Sequence, residues 1–197
     1  APNAAARRAE RLAVAQALGD GPALTWAQLG ACPPWLTLPA DARELLCAHA
    51  GAWWLAASLR ACIDGKRLAR VRELLGEQSL TALLASPRAQ RANALGVAPR
   101  PLLPPPEATP AHLMACGRAL LAWHLPPALR PPLLAHLGWQ VDEGHTAAFD
   151  QHRDWARQAL QAALSPTPED PAPEVGEPFG AVLPAGDADA LVALPTP

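Results

Sequence analysis

Apolar residues recur at helical spacing along roughly the first 164 positions and lose that spacing from Ser165 onward. Residues 4–18 predict a helix in which Leu12, Ala15 and Leu18 share a face, stopped by Gly19-Asp20-Gly21. Residues 22–37 predict a loop holding one short helix, with Trp26 and Trp35 close in sequence to Cys32-Pro33-Pro34. The best-defined element follows. Thr37 or Leu38 stands before Pro39, a favoured first helical residue, and the helix is expected to run to about Ile63 and stop at Asp64-Gly65. Between Leu45 and Ile63 it is apolar nearly all round, broken only by His49, Ser58 and Arg60. Such a helix is either central in a bundle or crosses a membrane. The run is long enough to span, but it is rich in Ala and Gly, its flanks carry no anchors, and Arg60 would be costly in lipid. The central helix is the expectation.

Further helices are predicted over 66–76, where Leu68, Val71 and Leu75 keep helical spacing before Gly76, and over 77–85, ending before Pro87. Residues 86–96 show no decisive pattern. Six prolines between 97 and 110 predict a stiff extended connector. Thr109-Pro110 matches an N-cap followed by proline at the first helical position, opening a helix over 110–124. A shorter helical stretch over 126–137 carries an interruption at Pro131-Pro132. The last helix is expected over 146–164, with Phe149, Ala156, Leu160 and Leu164 on one face. Asp150–Arg153 and Asp154–Arg157 form i,i+3 pairs on the wet side. The expected fold class is therefore all-α: an irregular helical bundle around a long central apolar helix, with a Pro-rich connector. Residues 1–164 form a single helical domain in this reading. Residues 165–197 form a flexible Pro-rich acidic tail or an extended strap, whose Phe179, Val182, Leu183, Leu191, Val192 and Leu194 are apolar enough to dock.

Composition supports the helical reading. Beside 24 prolines, Ala, Leu and Arg dominate the rest, there is no Tyr, and β-branched and aromatic residues are scarce, which argues against a β-sandwich or an α/β sheet. The net charge of −2 conceals an asymmetry. All 16 basic residues lie at or before Arg157, and six of the 18 acids lie after residue 165, so the body is 16 − 12 = +4 and the tail −6. A field that weak lacks the concentrated basic stripe that nucleic-acid binding calls for. The four cysteines, Cys32, Cys47, Cys62 and Cys116, form no CxxC and are too sparse for a disulfide scaffold. They are expected to be buried thiols in a reducing cytoplasm. No signal-peptide pattern is visible, although the chain starts without Met.

Reactive motifs are hard to find. The sequence holds no GxxxxGK[ST], no GxGxxG at a strand–helix junction, no HExxH and no GxSxG. The single lysine, Lys66, sits beside Arg67 in a polar turn, a poor place for a desolvated nucleophile. Zinc candidates are Cys32, Cys47, His49, Cys62 and Cys116, but Cys47 and His49 are two residues apart and cannot share a helical face. Asp142-Glu143-Gly144-His145 suggests a carboxylate-assisted histidine base, in a predicted loop with no evident nucleophile. A solvated turn is the plainer reading. No catalytic, cofactor-binding or metal-binding residue is assigned, no cofactor is expected, and no small-molecule substrate. Trp53-Trp54 could mark a binding hot spot, but adjacent helical residues point about 100° apart, so one is expected in the core and the other in a neighbouring groove. Arg60, Lys66, Arg67, Arg70 and Arg72 form the densest basic patch, either a solvated helix face, a docking surface for an acidic partner, or a seat for the acidic tail.

The stretch Trp35-Leu-Thr-Leu-Pro39-Ala-Asp-Ala-Arg-Glu-Leu-Leu46 leads into the long apolar helix. That helix ends in Ile63-Asp64-Gly65-Lys-Arg-Leu68, followed by Val71-Arg72-Glu73-Leu74-Leu75-Gly76-Glu77. Together these features resemble the SctK family, the YscK/PscK-like accessory subunits of bacterial type III secretion systems. They cover about residues 35–85. The resemblance implies a non-enzymatic helical adaptor of the cytoplasmic sorting platform of the injectisome, a virulence-associated protein-transport machine. It would link the cytoplasmic domain of the inner-membrane ring protein SctD to the pod protein SctQ. It implies a cytoplasmic location, peripheral at the inner membrane through the apparatus, with no direct membrane insertion. No family binding motif maps residue by residue onto this chain. Two other classes stay open from the residues themselves: a small helical metal-binding regulator or enzyme using Cys and His, and a membrane-integrated subunit built on 45–63.

Overall fold

The computed structural model describes residues 4–165, and 72% of these are helical, with no strand among them. The tail expected over 165–197 lies outside the described residues from position 166. Among the described residues eleven α-helices follow one another: α1 (Ala4–Leu18), α2 (Trp26–Leu29), α3 (Ala40–Trp54), α4 (Ala56–Arg60), α5 (Gly65–Leu75), α6 (Glu77–Ala85), α7 (Pro87–Ala94), α8 (Thr109–His124), α9 (Arg130–Leu137), α10 (Glu143–Gln151) and α11 (Arg153–Leu164). A 3-10 turn, Pro34–Thr37, precedes α3.

Local chemistry explains most of the starts. Thr25 and Gln28 make a reciprocal capping box at α2. The Asp64 carboxylate accepts the backbone N–H of Lys66 and Arg67, so the residue expected to stop the apolar helix also starts the next one. The Ser86 hydroxyl accepts from Ala89 N, and Pro87 follows at the first helical position. This pair gives α7 its start, where the hydrophobic pattern alone was undecided. Gly76 takes φ +83°, a conformation that side-chain-bearing residues rarely adopt, and so lets α5 turn into α6.

Several boundaries differ from the expectation. Pro39 is the N-cap and not the first helical residue, and Thr37 belongs to the 3-10 turn, its hydroxyl donating to Pro34 O. Arg43 closes that turn by donating to the carbonyls of Leu36 and Leu38. Thr109 is not an N-cap either. Pro104–Pro106 already turn the chain, and the buried Thr109 hydroxyl donates back to Pro104 O and Pro105 O. Pro131 and Pro132 fall in the first turn of α9, just after Arg130, where an interruption was expected, because the first four N–H groups of a helix have no intrahelical partner and proline forfeits nothing there.

The long apolar run breaks at Leu55, and the expected last helix begins earlier, at Glu143, and breaks at His152. Both breaks serve one contact. Phe149 packs edge-on against Trp54 at 4.6 Å between ring centroids, and the Trp155 indole N–H donates to Trp54 O at 3.1 Å. A straight helix could not present Phe149 and Trp155 to the same tryptophan in this way. Trp54 is buried and Trp53 half-buried, as the divergence of neighbouring helical residues requires.

The most extensive helix–helix interface is between α3 and α8, with α11 lying against α3 and α10 against α8. Small residues make the first of these close. Gly51 faces the Leu113 carbonyl and Gly117 faces the Cys47 carbonyl with no room for a Cβ at either. Around this contact Leu113, Leu120, Leu121 and Leu133 are fully buried, each contributing about 1.5–3 kcal/mol by leaving water. Which face is buried differs from expectation at two ends. In α1 the buried residues are Val14 and Leu18, while Leu12 is exposed; in α11 Leu164 is exposed, while Trp155, Ala156, Ala159 and Leu160 are covered. No helix among the described residues is long and apolar enough to cross a membrane.

Candidate partner surface and a histidine–cysteine cluster

The five basic residues singled out from the sequence do not act alike. Arg60, at the end of α4, donates to Leu84 O of α6. Arg67 donates to Pro104 O at 2.8 Å and lies 3.8 Å from Asp64. Both guanidinium groups are half-buried braces of the fold, so charge there is tied to the protein's own backbone. Lys66, Arg70 and Arg72 are exposed. Arg70 pairs with Glu73 at 2.9 Å and Arg72 with Glu77 at 2.7 Å, contacts between solvated groups that hold little energy. Lys66 has no ion-pair partner among the described residues.

Two large apolar side chains accompany these charges. Ile63, between α4 and α5, is 100% exposed, and Leu102 of the proline-rich connector is 96% exposed. The connector is fastened to this region by two bonds, Ser58 Oγ to Pro101 O at 2.8 Å and Arg67 Nε to Pro104 O. The connector residues on either side of Leu102 are thereby tied to α4 and α5, the helices on either side of Ile63. Sequence reasoning identified the charges and missed both apolar residues. Ile63 fell inside a run that was expected to be covered.

The metal candidates weighed from the sequence do not converge as a set. Cys32 donates to Gln28 O, Cys62 to Asp64 O, and Cys47 is buried beside the Arg118–Glu44 pair of 2.6 Å. Cys32 and Cys62 are also only partly buried, against the expectation that all four thiols are covered. Cys116 instead meets two histidines. Its Sγ lies 3.6 Å from His112 Nε2, one turn earlier on α8, and 3.3 Å from His145 Nε2 on α10. The three potential ligand atoms lie within 4.8 Å of one another.

The local folding of this cluster is simple. Residues 112 and 116 are i,i+4 on one helix and share a face. His145 is in the first turn of α10, not in the loop expected there, and Asp142 caps that helix by accepting from Gly144 N at 2.9 Å. The other Asp142 oxygen lies 3.8 Å from His145 Nδ1. Burial pushes the Cys116 thiol up to about 12, and burial, with His145 adding to it, lowers the His112 value below its ordinary range. Asp142, His145 and Cys116 thus stand in the order of a carboxylate, a base and a nucleophile. The thiol, however, is 1% exposed and stays protonated at neutral pH, so it presents no thiolate to a substrate. The spacing His112-x3-Cys116 was legible in the sequence; the arrival of His145 was not. A separate cleft of about 270 Å³ beside α1 is lined by Arg7, Glu10, Arg11, Leu29, Cys32 and Thr37. The Arg11 guanidinium also lies over the Trp26 ring at 5.3 Å.

Comparison with known proteins matched no family model, no curated protein and no solved structure.

Proposed function

We propose that this chain is a non-enzymatic adaptor of a type III secretion sorting platform, joining an SctD-like ring protein's cytoplasmic domain to an SctQ-like pod protein. The observation that carries the reading is the exposure of Ile63, just before α5, and of Leu102, together with the exposed cations Lys66 and Arg70, which lie i,i+4 on one face of α5. Exposed apolar side chains and exposed cations in neighbouring segments fit a partner that offers an apolar side chain within an acidic surround. This surface falls within or beside residues 35–85, which carry the SctK-family resemblance, and those residues also include the helix α3 that packs on α8 and α11. In this reading α3 and α4 together are the apolar centre of an irregular bundle. The protein is cytoplasmic and reaches the inner membrane through its partners alone. Arg60 and Arg67 support the surface from beneath and do not touch the partner.

Co-purification of the full chain from a secretion-competent cell tests the reading. Ring and pod proteins should be recovered together. Ile63→Asp combined with Lys66→Glu should reduce their recovery roughly tenfold, with an unchanged melting temperature. Recovery of neither partner, or full recovery with the double variant, would overturn it.

A further inference from the structure

We propose that His112, Cys116 and His145 form a zinc site that fastens α10 to α8. The inference is independent of the adaptor reading, because it concerns metal binding alone.

Geometry is the first argument. Zn–S bonds near 2.3 Å and Zn–N bonds near 2.0–2.1 Å on a tetrahedron place S···N edges at about 3.6 Å and N···N edges at about 3.4 Å. The two sulfur–nitrogen separations here are 3.6 Å and 3.3 Å. All three ligand atoms lie within 4.8 Å of one another, so small side-chain rotations close the remaining edge. Both distances run to Nε2, so each histidine keeps Nδ1 for a different partner. For His145 a carboxylate stands within reach, Asp142 at 3.8 Å from Nδ1. Asp142, held by its capping bond to Gly144 N, turns its second oxygen toward His145 Nδ1. A carboxylate behind a liganding imidazole fixes the ring's tautomer and raises its basicity.

Ligand chemistry is the second argument. One thiolate and two imidazoles are borderline-soft donors, suited to zinc and poorly suited to magnesium or calcium. On binding, the Cys116 S–H bond breaks, the Zn–S bond forms, and the proton leaves to solvent. The buried thiol is thus exchanged for a metal thiolate, whose charge the ion neutralises. Among the described residues the protein supplies three ligands.

The reduced, chelator-treated full chain should be titrated with Co2+ and then with Zn2+. One cobalt per chain is expected, with a thiolate-to-cobalt charge-transfer band that zinc abolishes. Zinc should also raise the melting temperature. Cys116→Ser should lose the band, His145→Gln should bind at least tenfold more weakly, and Cys62→Ser should match the parent. Asp142→Asn keeps a competent helix cap but loses the carboxylate, so it should bind roughly 10–100-fold more weakly. Absence of the band in the parent chain, its retention in Cys116→Ser, or equal affinity in His145→Gln would each overturn the site.

Discussion

A methyl group at Gly117 would collide with the carbonyl of Cys47, and one at Gly51 with the carbonyl of Leu113. In both cases the obstacle is backbone, which cannot rotate aside as a side chain can. Gly117→Ala should therefore force α3 and α8 apart and destabilise the fold by about 3 kcal/mol, near the upper end for overpacking. A urea midpoint within error of the parent would contradict the close helix contact. Other residues show how burial sorts identical side chains. Cys47 and Cys116 are buried and their thiols are pushed up to about 12, whereas Cys32 and Cys62 keep part of their surface in water. For Cys47 burial is the larger cause, and nearby Glu44 adds to it while Arg118 and Arg43 oppose it. Of the histidine–cysteine cluster, the sequence displays a helical i,i+4 pair and an Asp-x-x-His run, but nothing in either says that they meet.

The starts of α2, α5, α7 and α10 rest on a polar side chain placed at the right offset. Asp64 ends the loop after α4 and caps α5 with one carboxylate oxygen, which accepts two backbone N–H groups. Asp64→Ala should cost about 1 kcal/mol, and Asp64→Asn should restore most of it, since Asn caps nearly as well. Equal unfolding free energies for the two variants would show that the cap is not what starts α5. Prolines followed the same logic less predictably. Pro87 opens a helix, Pro131 falls in the first turn of another, Pro39 caps one, and Pro104–Pro106 turn the connector into α8. A proline tells where a helix cannot continue, but its neighbours decide whether it stands before the helix or within its first turn. The breaks at Leu55 and His152 carry no proline or glycine. They lie beside the place where Phe149 and Trp155 close on Trp54.

Across the whole molecule, histidines add a dependence on acidity. Burial lowers the values of His49 and His124 below the ordinary 6.5. The unfolded chain then binds more protons than the folded one below that pH, so stability is full above about 6.5 and falls as pH drops through the folded values. Thermal melts of metal-free protein should show a decline beginning near pH 6.5. Replacing both histidines by Gln should make it shallower, with His112 keeping a remainder, and an unchanged slope would refute the assignment. Residue types and their spacing by themselves determined that this chain is helical, where α5, α6 and α8 run to within a few residues, and which side chains were candidates for contact. Those properties depend on backbone bonds and caps that reach only four residues or so. Tertiary structure alone decided that Val14 is covered and Leu12 bare, that the apolar run bends, and that Arg60 and Arg67 face inward. It also decided that His145 reaches Cys116, 29 positions away, and that Trp155 reaches Trp54, 101 positions away. Contacts at such separations follow from how the helices fit together against one another, and a local pattern holds no record of that fit.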